Sequence, residues 1–259
     1  MDVKRYLNRI EYTGPGRPSA AALRELHRQH LFTVPFENLD IALGNPILLS
    51  PPLLYEKIIV QRRGGFCYEL NGLFAALLTE LGYVVQMLSA RVRHNRDGFG
   101  PDFDHMLLKV DLDEPWLADV GFGESFLNPI PFHAGGTETS NAHCYFLAQH
   151  SHEWQLMRSD KDGEVALYRF RDVPRQLSDY EGMCEFHQIS AESHFTQNRV
   201  CTRATPTGRV TLSGMRLIET QAGVRTERQL RGELEVRRCL HNHFGIDFGP
   251  AIDISALCT

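Results

Sequence analysis

The order of texture along the chain predicts an α+β protein in three successive parts, and two observations carry that prediction. Up to about residue 82 apolar residues recur at helical spacing among good helix formers, whereas from Val84 onward short β-rich segments are separated by turn residues. From about Ala191 the texture changes again, to a hairpin, further strands and one helix, giving parts at 1–82, 83–190 and 191–259.

The elements follow in order. Asp2–Ile10 is a short amphipathic piece broken by TGPGRP, and Ser19 is placed to cap AAALRELHRQH. His27 and His30 are expected on the surface of that helix. PFENLDIALGNP reads as loop, and Ser50 with Pro51–Pro52 opens a helix to about Gln61. In RRGGFCYELNGLFAALLTELGY, residues Leu70, Leu73, Phe74, Leu77, Leu78 and Leu81 line one helical face closed by Gly82. VVQMLSARV, HMLLKVDL, PWLADVGF, HCYFLAQH, EWQLMRS and VALYRF then read as strands of an antiparallel sheet or small barrel. HAGGTETSNA (133–142) reads as loop, and Ser178–Gln188 as a helical connector. RVCTRATPTGRVTLSG reads as a hairpin turned at Thr207–Gly208, and a helix over about Gly232–Phe244 ends at Gly245.

Composition narrows the function classes. A net charge of −5 disfavours a general nucleic-acid or acidic-membrane binder. Apolar runs fall short of a membrane span, and MDVKRYLNRI carries no apolar leader, so a cytoplasmic setting with reduced thiols is expected. The six cysteines (Cys67, Cys144, Cys184, Cys201, Cys239, Cys258) show no C-x-x-C pair, and Cys239-x-His241-x-His243 departs from common zinc spacings, so no metal is expected. Arg91, Arg93 and Arg96 are candidates for holding phosphates, or form a solvated face.

Cys67 begins the apolar helix. Free cysteine is often buried, so a core role competes with a reactive one. In the first helical turn, however, a thiol faces unpaired N–H groups and the positive dipole end, which lowers its pKa; Arg62 and Arg63 add to this. Gly64–Gly65 would let the backbone approach a ligand, or simply form a tight turn. A reactive thiol needs a base, and the base an orienting acid. His105 opens HMLLKVDL on the face opposite Met106, Leu108 and Val110. If the next strand turns back at Asp111–Asp113, Asp119 lies directly across from it, with Cβ atoms about 5 Å apart. A turn centred at Asp113–Glu114 would separate them.

RRGGFCYELNGLF, DHMLLKV and WLADVGFG, in this order, resemble the signature segments of arylamine N-acetyltransferases, and PFENLDI (35–41) and HFTQNRVCTRATPTGRVTLSG (194–214) resemble two more. The resemblance implies a cysteine-protease-like (transglutaminase-like) core, with an N-terminal helical domain, a β-barrel and a C-terminal α/β lid. It implies a catalytic triad of Cys67, His105 and Asp119, acetyl-CoA as co-substrate, and an arylamine pocket at Phe36, Phe122 and Gly123. Arg63, Glu69 and Asn71 fall on motif positions with a supporting role. Two departures stand out: the Asp111–Pro115 turn is a residue shorter than usual, and the chain ends soon after its last predicted helix. The expected reaction is ping-pong acetyl transfer to an arylamine, arylhydrazine or N-hydroxyarylamine, by a monomer or homodimer. A cysteine hydrolase or transglutaminase-like enzyme using the same triad is the alternative, and a binding protein without chemistry is a third.

Overall fold

Helix α1 (Val3–Arg9) starts where the Asp2 side chain accepts the Arg5 N–H at 2.9 Å. In the computed structural model, which describes residues 1–94, 98–140, 143–161 and 163–258, the predicted helices are present. Ser19 caps α2 (Ala20–Thr33) by accepting from the Ala22 N–H at 3.1 Å. Within the stretch expected to be loop, Phe36–Glu37 forms a short strand β1, followed by α3 (Leu39–Leu43). Prolines at the first turn open α4 (Pro51–Tyr55), which runs on through a wider π turn, Glu56–Val60. Helix α5 (Cys67–Glu80) buries Leu70, Leu73, Phe74, Leu77 and Leu78, as its spacing predicts.

The strands that follow are β2 (Val84–His94), β3 (Gly98–Phe99), β4 (His105–Asp111), β5 (Pro115–Ala118), β6 (Ile130–Pro131), β7 (Thr137–Ser140), β8 (His143–His150), β9 (Glu153–Asp160) and β10 (Gly163–Arg175). They form a nearly closed antiparallel barrel in the order β6-β5-β4-β2-β10-β9-β8-β7, with β3 paired to β2. β7 lies inside the segment expected to be loop. Of its residues only Ser140 is buried, so no apolar alternation marks it in the sequence. Asn141 and Ala142, at the end of that segment, lie outside the described residues.

Strand β4 is buried on both faces. Leu108 and Val110 join the core around α5, together with Trp116 and Ala118. Leu107 and Leu117 point into the barrel with Leu88, Tyr145, Leu156 and Tyr168. The β4–β5 register differs from the expected one: Leu108 pairs with Ala118 and Asp111 with Pro115, a shift of two residues that centres the turn on Asp113. Because side chains alternate with period 2, this shift leaves His105 and Asp119 on the same face.

After β10 come α6 (Glu181–Ile189), over the predicted connector, and α7 (His194–Gln197). Strands β11 (Val200–Thr205), β12 (Gly208–Ser213), β13 (Arg216–Gln221) and β14 (Val224–Gln229) form a second sheet that β1 extends. Thr205 pairs with Gly208, so the first hairpin turns at Pro206–Thr207, one residue earlier than expected. Helix α8 (Gly232–Cys239) and the segment after it cover one face of this sheet, through Val236, Leu240, Phe244, Ile254 and Leu257.

Candidate active site

Cys67 is the first residue of α5 because the chain ahead of it is extended and tightly held. Phe66 has φ −98° and ψ −171°, and its N–H is accepted by Glu69 Oε2 at 3.0 Å, half of a capping box. Lys57 Nζ bonds the other Glu69 oxygen at 2.7 Å. The two glycines before Phe66 serve packing rather than a ligand: a side chain at 64 would run into the Pro35 carbonyl, and one at 65 into Glu69. Arg63 does not reinforce the thiolate as expected. Its guanidinium is buried against Glu37 (2.8 Å) and Asp40 (3.1 Å).

Cys67 is 3 % exposed, and a main-chain hydrogen bond from Met106 reaches its sulfur. The helix N-terminus was expected to lower its pKa. Instead burial pushes the thiol well above its ordinary value, with only the Met106 bond opposing, while Asp104 and Asp119 add to the rise.

The candidate base, His105, stands next to Met106. His105 Nε2 bonds Asp119 Oδ2 at 2.8 Å, with both side chains buried. Asp119 lies one residue past the end of β5 and reaches His105 diagonally across the hairpin. Its carboxylate accepts three further hydrogen bonds, from Asn71 Nδ2 (2.9 Å), the Gly121 N–H (3.0 Å) and the Tyr168 hydroxyl (3.1 Å). Burial raises its pKa, but His105 and these donors more than offset that and hold it below the usual carboxylate range. Asn71, one turn along α5 from Cys67, also donates to the Met106 carbonyl at 2.7 Å and accepts the Val120 N–H at 2.9 Å. It thereby pins the strand carrying His105 and the loop carrying Asp119 to the helix carrying Cys67. Gly121 completes the fit, since a Cβ there would lie 2.8 Å from the Cys67 Cα.

The His105 ring is held between Phe122 and Tyr168, with centroids at 5.2 and 5.3 Å. Phe122 is half-buried, and Gly123 lies against the Phe36 ring, so the three expected pocket residues gather on the His105 side of the site. Two contributors were not foreseen. Tyr168 sits among alternating core positions of β10, and only the sheet brings its hydroxyl to Asp119. His27 was expected at the surface but is 0 % exposed: it accepts the Asp119 N–H at 3.1 Å and donates through Nδ1 to the Leu127 carbonyl at 2.9 Å. Its spacing from Leu23 and Leu26 on one helical stripe was the available signal. His30 is equally buried.

Among the described residues no group of three or more His, Cys, Asp or Glu could hold a metal ion, and Cys239 belongs to the core of the second sheet. No described helix is long and apolar enough to cross a membrane. Arg91 pairs with Asp102 at 2.6 Å on the barrel exterior, and Arg96 lies outside the described residues.

A helix-borne cysteine packed against a barrel that carries a buried His–Asp pair, with a further sheet alongside, is the arrangement of a cysteine-protease-like α+β fold. The N-acetyltransferase family model matches residues 19–252. The arylamine N-acetyltransferase of Mycolicibacterium smegmatis is 34% identical over 256 residues, covering 96% of this chain and 93% of that protein. The solved structure of Mycobacterium marinum arylamine N-acetyltransferase superposes with a TM-score of 0.91 at 31% identity, over 99% of this chain and 97% of that one. A structure of the same enzyme in complex with CoA superposes with a TM-score of 0.89 at 30% identity, over 99% and 97%. The chain belongs to the arylamine N-acetyltransferase family.

Proposed function

We propose that this enzyme transfers an acetyl group from acetyl-CoA to the nitrogen of an arylamine, arylhydrazine or N-hydroxyarylamine, through an acetyl-cysteine intermediate on Cys67. The observation that carries the reading is the meeting of three elements: Met106 bonds the Cys67 sulfur, and its neighbour His105 bonds Asp119. The names of the relatives and the CoA bound to a structural neighbour support the choice of substrates.

With Nε2 committed to Asp119, His105 Nδ1 is the ring nitrogen that takes the thiol proton. The thiolate attacks the thioester carbonyl. As the first residue of α5, Cys67 has an N–H without a partner inside the helix, and it donates to the developing oxyanion. CoA leaves as a thiolate and takes the proton from His105. The acceptor nitrogen then attacks the acetyl-cysteine carbonyl, His105 receives its proton, the Cys67 thiolate departs with the C–S electrons, and the amide is released. Asp119 fixes the imidazole tautomer and stabilises its charge throughout. Phe36, Phe122 and Gly123 form the acceptor pocket.

In this scheme residues 1–82 supply the nucleophile, 83–190 the base and acid, and 191–259 the lid. The enzyme works in the cytoplasm as a monomer or homodimer, without a metal, nucleic-acid or membrane partner.

Exposure to acetyl-CoA is expected to add one acetyl group by intact mass to the wild type and none to Cys67→Ala, with parallel double-reciprocal plots in the steady state. Converging plots would count against the ping-pong route, and peptide hydrolysis independent of CoA would favour the hydrolase alternative.

A further inference from the structure

The sheet of β1 and β11–β14 has two unlike faces. Cys201, Val210, Leu212 and Leu217 lie on one, against the C-terminal segment. Pairing of Phe36 with Thr202, Thr202 with Thr211 and Ala204 with Arg209 places Phe36, Thr202, Thr211 and Arg209 on the other. Since Phe36 also touches Gly123, this second face borders the candidate acceptor pocket.

Arg209 stands out there. Its Nη1 donates to Thr202 Oγ1 at 3.0 Å, and its charge is felt by Glu124, next to Gly123, and by Tyr145 of the barrel. It is half-buried, and among the described residues it forms no ion pair. The other withdrawn arginines are better supplied: Arg63 has Glu37 and Asp40, Arg9 has the carbonyls of Thr33, Ile58 and Arg62, and Arg203 has those of Phe32 and His243. Burial pushes the Arg209 pKa down, only partly offset by Glu124 and Tyr145. A partly desolvated guanidinium with donors to spare is a strong partner for a carboxylate or phosphate, to which it can give paired hydrogen bonds.

We infer that Arg209 is the anion-recognising group of the substrate cleft, selecting substrates that present a carboxylate or phosphate beside the Phe36–Gly123 wall. The inference rests on the transferase reading for the source of that anion: the phosphates of the coenzyme, or an acidic substituent on the arylamine.

The test compares the intact wild type with Arg209→Gln and Arg209→Lys, using acetyl-CoA against uncharged p-nitrophenyl acetate as donors, and 4-aminobenzoate against 4-methoxyaniline as acceptors. Arg209→Gln is expected to lower the kcat/KM ratio of charged over neutral substrate by about 10- to 100-fold, the loss of a charge-assisted hydrogen bond, with Arg209→Lys restoring part of it. A fall in the donor ratio assigns the coenzyme phosphates; a fall in the acceptor ratio assigns the carboxylate. Unchanged ratios, or equal losses for charged and neutral substrates, overturn the inference. Calorimetric binding of CoA and of 4-aminobenzoate to Cys67→Ala, with and without Arg209→Gln, needs no turnover. Binding that depends on Arg209 in a chain whose wild type transfers no acetyl group would sink the transferase reading and keep the anion site. Transfer by the wild type with binding indifferent to Arg209 would do the reverse.

Discussion

Asn71 has both amide donors and its carbonyl engaged, with Met106, Asp119 and Val120. Such a clip holds the Asp119 carboxylate in place without relying on its charge. Tyr168 adds one more donor to the same carboxylate, and Tyr168→Phe removes it while keeping the ring on His105. Turnover is expected to fall by up to about tenfold with the fold intact, as for one neutral hydrogen bond, and pH–rate profiles would check it. His27 makes a sharper test. Burial lowers its pKa from 6.5 to about 4, so the folded state holds it neutral while the unfolded chain binds a proton below pH 6.5. Stability is therefore full above pH 6.5 and is lost as the pH falls toward 4. Between pH 7 and pH 5 this one side chain is expected to cost about 2 kcal/mol, read from urea unfolding midpoints; His27→Gln should flatten the dependence, unless its own destabilisation prevents folding. His30, buried beside it with its pKa also lowered by burial, steepens the slope in the same direction.

Local signals placed the helices well because a helix writes its caps and its stripe into neighbouring residues. Ser19→Ala is expected to cost about 1 kcal/mol, measurable by thermal unfolding, since it removes the side-chain acceptor of the Ala22 N–H at the start of α2. Strands were legible where they alternate, as in β4 and β8, and missed where they do not. β7 is polar at an edge, and β1 is two residues that become a strand only because β11 lies beside them. The β4–β5 turn is the instructive case. The sequence left two registers open, and the observed turn centre matches neither, yet the pleat keeps His105 and Asp119 on one face.

Across the molecule, charges drawn from distant segments meet where the parts join. Glu37 ends β1, Asp40 lies in α3, Arg63 precedes α5, and the Arg63 guanidinium also lies over the Phe248 ring, 4.6 Å from its centroid. Arg63→Ala is expected to destabilise by about 3–5 kcal/mol, because buried Glu37 loses its ion-pair partner and Asp40 keeps only Lys57 of its two cations. Restoring stability in a variant that also replaces Glu37 and Asp40 with neutral residues would show that the unpaired charge, and not lost packing, sets that cost; denaturant midpoints of the two variants decide it.

The fold class, the helix boundaries to within a few residues, and Cys67, His105 and Asp119 as candidates could all be read along the chain, because periodicity, capping and motif spacing are local properties. The burial of His27, the reach of Tyr168 to Asp119, the diversion of Arg63 into an ion cluster and the raised pKa of the Cys67 thiol could not. Each depends on which surfaces are removed from water when separate elements pack together, and desolvation is a property of the assembled interior rather than of any one segment.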